Sequence, residues 1–452
     1  MSDRTLVIAT WGQPALWRMA YYMLEDENEG VEHCTTLPLL LKHYNNSDVA
    51  LLVLDSLIDE FDRRPIDRAG SKCFECYDRL REFVRSAASS SSYKELKKEV
   101  KVFAHEMLKC LEIDGRVEPI VCPAVGKPGG KWDFNSSPRD YEAVALAELG
   151  LRFLDQRYDR VVLDVSHGIN FMPSVTLRVA ERIAGLLLVA HGFEQHVNLE
   201  VYNSDPYPSS TNDLPKLRLN LVAKDRVSSV RIPSSLPSKL LSRRGKGEPQ
   251  LIKKEDDLNR RYREIVRLSL SALYYPLPLV LHYSLCRVQN QVQDVLSKAL
   301  AFWEDNVKVD RESRVVRSAF RFDPDAVYAL LLVEAVEKRT GTPEYPARLE
   351  VMKRSAGLYK AFNESYYHLV SHELDLIEKR VNAKRPPTII KLCELYDEGC
   401  GSDKPDKRIM IAHAGLQKEL VKVDPCGNRL FYTTDGIEKL LGDGDLLVPQ
   451  RD

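Results

Sequence analysis

Six short runs of apolar residues constrain this chain more than any other feature. They are "TLVIAT" (5–10), "ALLVLDS" (50–56), "RVVLDVS" (160–166), "GLLLVA" (185–190), "NLEVYNS" (198–204) and "KLRLNLV" (216–222). In the first four the hydrophobic residues are continuous rather than alternating. A strand of that kind is buried on both faces, which argues for a parallel sheet covered by helices. The stretches between the runs supply those helices. "PSVTLRVAERIAG" (173–185) is amphipathic, and residues 57–112 are polar and helical, with "SAASSSS" (86–92) as a loop. Strands alternating with helices predict a doubly wound, Rossmann-like α/β domain over residues 1–223.

The pattern ends there. Residues 224–257 are basic and rich in serine and proline, and read as a solvated linker, a small inserted subdomain or a basic surface for RNA. From 258 the strand signals nearly vanish. Helical patterns cover 258–274, 277–304, 324–340, 344–381, 388–398 and 404–421, so residues 258–452 are predicted to form an all-α domain. A closing segment, "GNRLFYTTDGIEKLL" (427–441), reads as a hairpin or strand followed by a helix. A chain of 452 residues is too long for one ordinary core, in keeping with this division.

Composition excludes some functions. The net charge of −1 means that any nucleic-acid contact must come from local patches. The 9 cysteines show no zinc spacing beyond one CxxC, Cys73 to Cys76, and read as free thiols in a reducing compartment. No run approaches the roughly 20 apolar residues of a membrane span, and the apolar start of "MSDRTLVIAT" is too short for a secretion signal. The expectation is a cytoplasmic protein with no membrane partner.

In an open parallel sheet, ligands sit beyond the carboxyl ends of the strands. Two of those ends carry ligand-gripping groups. After the first strand comes "TWGQP": Trp11 offers a stacking face, Gly12 close backbone approach and Gln13 a hydrogen-bonding amide. After 160–166 comes "SHGIN". Ser166, His167 and Asn170 supply donors, Gly168 lets a phosphate come near, Ile169 completes the loop, and the helix start near Pro173 favours an anion. The plainer alternative is that Ser166 and Asn170 cap that helix while His167 packs on the sheet. Neither GxGxxG nor GxxxxGK[ST] occurs at these ends, which disfavours a dinucleotide cofactor or an ATPase.

"DVSHGINFMP" following a strand resembles the Asp-x-Ser/Thr-His-Gly motif of CARF domains, the CRISPR-associated Rossmann fold. The order of an α/β half, a connector and a helical half is similar to the CARF–HEPN ancillary ribonucleases of type III CRISPR systems. The resemblance implies that cyclic oligoadenylate, expected to be cyclic tetra-adenylate, binds at a CARF dimer interface. The pocket would be lined by Trp11, Gly12, Gln13, Ser166, His167, Gly168, Ile169 and Asn170 of two copies. It also implies an Arg-x(4–6)-His motif near the C-terminus. "KRIMIAHAG" matches it with Arg408 and His413, and of the 10 histidines only His413 has an arginine five positions earlier. "SDKPDKRIMIAHAGLQKEL" reads as one helix capped by Ser402 or Asp403, with Pro405 in the first turn and Ile409, Ala412, Leu416 and Leu420 as its apolar stripe. Five residues set Arg408 and His413 roughly 140° apart on such a helix. Many family members have a polar residue after the arginine; this chain has Ile409.

The implied function is an endoribonuclease that cuts single-stranded RNA in antiviral defence. It would be switched on by the cyclic activator and work as a homodimer or larger symmetric oligomer. The substrate's 2′-OH is the nucleophile, His413 the base or acid, and Arg408 the transition-state stabiliser, so no metal or other cofactor is required. Two alternatives stand beside it: a non-catalytic nucleotide sensor that binds nucleic acid, and a ring nuclease that degrades the activator. His368 and His372 have the i, i+4 spacing of metal ligands but lack the HExxH glutamate, and Tyr274, Tyr275, Tyr366 and Tyr367 read as core or interface residues.

Overall fold

The computed structural model describes residues 4–25, 27, 29–59, 72–192, 196–208, 213–245, 249–402, 404–426, 428–433, 447 and 450–451. The first half runs β1 (Thr5–Trp11), β2 (Ala20–Leu24), β3 (Gly30–His33), α1 (Leu37–His43), β4 (Ser47–Leu54), α2 (Lys72–Arg79), α3 (Arg81–Ala88), α4 (Tyr93–Cys110), β5 (Arg116–Cys122), β6 (Val125–Gly126), β7 (Asp133–Asn135), α5 (Pro138–Phe153), β8 (Arg160–Asp164), α6 (Met172–His191), β9 (Val197–Ser204) and β10 (Lys216–Val227). The second runs β11 (Leu236–Pro237), β12 (Leu241–Arg243), α7 (Pro249–Tyr274), α8 (Pro278–Val288), α9 (Gln291–Asp305), β13 (Val307–Asp310), β14 (Val315–Ser318), β15 (Phe320–Phe322), α10 (Pro324–Thr340), β16 (Ala347–Arg348), α11 (Leu349–Ala356), α12 (Glu364–Lys384), β17 (Ile390–Lys391), α13 (Leu392–Leu395), α14 (Lys407–Ala412), β18 (Val421–Asp424), β19 (Arg429–Tyr432) and β20 (Gln450–Arg451).

Eight strands form the main sheet, in the order β3-β2-β10-β9-β8-β1-β4-β5. Its parallel part, β5-β4-β1-β8-β9, has the 3-2-1-4-5 order of a doubly wound sheet. Every residue of β1 is buried, as expected where both faces are covered. β10 pairs antiparallel with β9, and β2 lies parallel to β10, so the far edge is mixed. The strand order reverses between β1 and β8. Their carboxyl ends therefore border the crevice in which such sheets bind ligands.

"GLLLVA" is not a strand; it is the last turns of α6. That helix packs on the sheet with one side and on α10 with the other, and residues 183–190 are buried all round, so its last turns lack the polar face that marks an amphipathic helix. The second half is helical but not all-α. β16, β19, β18 and β17 make a small sheet, and β12 pairs with β15. These strands have two to four residues, too few to leave a period-two signal. The pattern over 277–304 divides at Asn290, whose φ of 59° cannot continue a helix, and that over 344–381 divides into α11, a 3-10 turn and α12. Six cysteines also depart from the free-thiol reading. Cys34–Cys73, Cys76–Cys110 and Cys393–Cys400 are disulfides, whereas Cys122, Cys286 and Cys426 are free. The two cysteines of the CxxC are joined to different partners because α2 lies between the end of β3 and α4.

The two halves are stitched together. β7, from the Gly- and Pro-rich loop of the first half, pairs with β14 of the second to build the sheet β13-β14-β7-β6. α5 and α10 are buried along most of their length and pack on each other and on α6. Charges inside this layer are matched: Arg182 of α6 meets Glu142 of α5 at 3.1 Å and Asp325 of α10 at 2.6 Å, and Arg139 meets Asp323 at 2.9 Å. The segment 224–257 packs too. Val230 donates its N–H to the Ala361 carbonyl at 2.7 Å, and Asn259 accepts from the Leu240 and Leu241 amides.

Asp140 joins several of these parts. It is fully buried, completes the capping box of α5 with Ser137, accepts from the Phe322 amide at 3.0 Å and pairs with Arg244. Asp140→Ala removes half of the capping box and leaves Arg244 without its carboxylate, so urea unfolding should show a loss of about 3–5 kcal/mol. A loss under about 0.5 kcal/mol would place this node outside the set of interactions that hold the halves together.

Candidate functional site

The "WGQ" and "SHGIN" segments meet where β1 and β8 end. The Gly12 amide donates to the His167 carbonyl at 2.7 Å. A β-carbon on Gly12 would lie 2.4 Å from Ile169 Cγ2, and one on Gly168 would lie 2.7 Å from Thr10 Oγ1. Both glycines are thus needed for the two loops to approach. Asp164, at the end of β8, accepts from the Ser166 amide at 2.9 Å and from the Thr36 hydroxyl at 2.5 Å. The Ser166 hydroxyl accepts from the Ser204 amide at 3.0 Å, tying the loop to β9.

The structure redistributes the roles expected here. Phe171 is the N-cap residue of α6 and makes no side-chain cap, so neither Ser166 nor Asn170 caps that helix. Trp11 is 2% exposed and stands edge-on to Trp17 at 4.8 Å, so its ring offers no stacking face to a ligand. Gln13 is also buried, with its amide aimed at the Asp59 carbonyl. Asn170 is exposed, in the left-handed region at φ 52°. A cavity of about 560 Å³ opens beside the loop. Ser166 and His167 line it together with Trp17, Arg18, Tyr22 and Tyr207. Arg18 lies over the Tyr207 ring at 5.0 Å and is a cation at the mouth of this cavity. The last four residues went unnoticed in the sequence because β2, the turn before it and the segment after β9 reach the crevice only through the mixed far edge of the sheet.

The His167 ring is wedged between Trp17 and Tyr22, with centroids 5.4 and 6.1 Å away, and its Nε2 accepts from the Thr36 amide at 3.2 Å. That bond places the ring proton on Nδ1. Burial pushes the pKa of this imidazole below the usual histidine value; Asp164 opposes the shift and His33 adds to it.

At the other end of the chain, α14 is a single short helix rather than the span 404–421. Asp406 caps it, accepting from the Arg408 and Ile409 amides at 2.8 and 3.1 Å; Pro405 precedes the cap. Ser402 does not serve that role, and Asp403 lies outside the described residues. The helix stops because Ala414 and Gly415 take φ values of 51° and 75°. The Gly415 amide bonds back to the Met410 carbonyl, and the Tyr432 hydroxyl donates to the Gly415 carbonyl at 2.7 Å. Gln417, itself buried, accepts from the Asp406 amide at 3.0 Å and donates to the Lys404 carbonyl at 3.0 Å. Of the predicted stripe, Leu416 and Leu420 are buried, but Ile409 is 41% exposed and Ala412 faces solvent.

This scaffold holds Arg408 in the first turn of α14 and His413 as its C-cap residue. The Arg408 side chain is exposed and pairs with no carboxylate among the described residues. His413 Nδ1 lies 3.2 Å from Glu373 Oε1 on α12. A carboxylate can only accept, so Nδ1 is the ring's donor to Glu373 and Nε2 is left for another partner. Glu373 was not singled out in the sequence; only the packing of α12 on α14 brings it there. His368 faces Glu364, and among the described residues no group of three or more His, Cys, Asp and Glu side chains could hold a metal ion. The helix half of "GNRLFYTTDGIEKLL" lies outside the described residues; its strand half is β19.

The His167 shift has a testable consequence. Its folded-state pKa is depressed, so the unfolded chain takes up the proton first as pH falls. The stability due to the neutral ring is complete above about pH 6.5 and is lost below it. Urea midpoints should drop from about pH 7 to about pH 5, and His167→Asn should flatten that drop. An equal slope in both proteins would contradict the assignment.

Residues 6–206 match the family described as "CRISPR system endoribonuclease Csx1, CARF domain", and residues 363–434 match "CRISPR system endoribonuclease Csx1, HEPN domain". The first match contains both loops of the crevice and the second contains Glu373, Arg408 and His413. The chain is also 24% identical over 447 residues to the CRISPR system endoribonuclease Csx1 of Methanocaldococcus jannaschii, covering 92% of this chain and 86% of that protein. Among the described residues no helix is long and apolar enough to cross a membrane. With both domain types present in the family's order, the chain belongs to the CARF–HEPN ancillary ribonucleases of type III CRISPR systems.

Proposed function

We propose that this protein is a CRISPR-associated endoribonuclease that cuts single-stranded RNA at Arg408 and His413 and is switched on by cyclic oligoadenylate bound at the crevice of the α/β half. The observation that carries the reading is the exposed Arg408 and half-buried His413 on one braced helix, with Glu373 on His413 Nδ1.

The chemistry needs only those groups and the substrate. His413 Nε2 takes the proton of a ribose 2′-OH, and the oxygen attacks the adjacent phosphorus. The bond to the 5′-oxygen breaks, and that oxygen receives a proton from an imidazolium. The products are a 2′,3′-cyclic phosphate and a 5′-hydroxyl. Arg408 meets the negative charge that grows on the phosphoryl oxygens. One imidazole cannot be base and acid at the same instant. Two copies of α14 facing each other across a two-fold axis supply both roles, and the exposed Ile409 beside Arg408 gives such a contact an apolar centre. The mechanism draws on no metal.

At the crevice, Arg18 offers a charge to phosphate, while the half-buried Tyr207 offers a ring to adenine. A cyclic tetra-adenylate carries both features. Gly12 and Gly168 hold the loops together, and Ser166 and His167 face the cavity.

The decisive assay is cleavage of labelled single-stranded RNA in EDTA, with and without cyclic tetra- or hexa-adenylate. Activator-dependent cutting is expected. Arg408→Ala and His413→Ala should each reduce it by roughly 10²–10⁴-fold with unfolding midpoints unchanged, and an all-DNA strand should stay intact. Cutting that persists in both variants, or that no activator elicits, would contradict the proposal. Linear products from the cyclic activator alone would instead assign a ring-nuclease activity to the crevice.

A further inference from the structure

α7 and α8 border a groove of about 520 Å³ lined by Arg260, Arg263 and Arg267 of α7, Arg287 of α8 and Gln291 of α9. It lies between the stretches 6–206 and 363–434 that match the two domain families. Spacings of three and four residues put the three α7 arginines on one face, and Arg287 approaches them from the neighbouring helix.

Three cations on these helices have carboxylate partners: Arg261 and Lys298 share Asp294, and Arg260 holds Asp257 and Glu264. Three in the groove do not. Arg263 donates to the Ser238 carbonyl at 3.2 Å, and Arg287 donates to the Tyr283 hydroxyl at 3.0 Å. Arg267 is exposed. Among the described residues none of the three meets an acid. Glu264, the one carboxylate lining the groove, is engaged by Arg260. Converging guanidinium groups repel one another, and in a chain of net charge −1 they are not the overflow of a generally basic surface. The arrangement suits a polyanion.

α7 also points toward the Arg408–His413 site. Tyr275 follows its last residue, and Lys407, the neighbour of Arg408, lies over the Tyr275 ring at 5.3 Å. Arg267 is eight residues back, about 12 Å along the helix axis. An anionic strand seated in the groove therefore has a short path along α7 to α14.

We infer that the α7–α8 groove is a second RNA-binding site, in which Arg263, Arg267 and Arg287 hold the phosphodiester backbone of the single-stranded substrate away from the cleavage point. This rests on the endoribonuclease reading above.

The test uses the full chain carrying His413→Ala, so that RNA stays whole, and fluorescein-labelled polyuridine read by anisotropy over a salt series. Arg263→Gln/Arg267→Gln/Arg287→Gln should weaken binding by about 10-fold or more and flatten the log–log salt slope by about 2. Cyclic tetra-adenylate affinity should not change. If the triple variant is less stable, Arg267→Gln alone decides, since that exposed side chain holds no partner among the described residues; about 3-fold weaker binding is expected from one lost phosphate contact. Unchanged RNA affinity and slope in either well-folded variant overturns the inference, as does a groove that binds polyglutamate but not RNA. Cleavage by the wild type is scored separately. Its absence sinks the enzyme reading, while the binding series still judges the groove.

Discussion

The structure depends on one buried layer. α5 and α6 belong to the sheet's helical cover, yet their outer sides face α10 of the second half rather than water. Desolvating so much apolar surface is the main force that joins the halves. The charges within the layer are placed where they are satisfied. Glu142 is buried and meets both Arg178 and Arg182, while Asp325 answers Arg182 from the far side. A buried carboxylate without such partners would be costly, so the ion pairs fix which faces meet even where they add little net stability.

This layer sets the relation between the two sites. α6 begins at the loop that ends the crevice and carries Arg182 three turns later, where it grips α10 through Asp325 and the Tyr328 ring. The link continues beyond α10. Val230 binds the Ala361 carbonyl just before α12, the helix that supplies Glu373 to His413. A shift at the crevice would thus meet packed, paired contacts rather than a slack linker. Packed interfaces of this kind move between discrete arrangements, which is the property a switch requires.

Much of this was legible in the sequence, for physical reasons. β1, β4 and β8 announce themselves because strands buried on both faces have almost nothing polar to interrupt them. The loops after β1 and β8 stand out because Gly12, Ser166, His167 and Gly168 have no place in a strand. α6 misleads for the same reason that β1 does not: burial on two sides erases periodicity, and "GLLLVA" reads alike in either conformation. α14 misleads because its end is set by the αL turn at Ala414 and Gly415, which Tyr432 pins from a distant strand. The stacking role expected of Trp11 fails because Trp17 covers it. Arg18, Tyr207 and Glu373 were hidden because only tertiary packing brings them to the sites.

If the crevice and α14 are energetically joined through the α5–α6–α10 layer, binding at one must change binding at the other. Reciprocity of binding gives the most direct test of that coupling. The affinity of the His413→Ala protein for cyclic tetra-adenylate can be measured by calorimetry alone and with saturating single-stranded RNA. The account predicts that RNA tightens the activator by about 5-fold or more, and that the activator tightens RNA by the same factor. Identical activator affinities in the two measurements would contradict it.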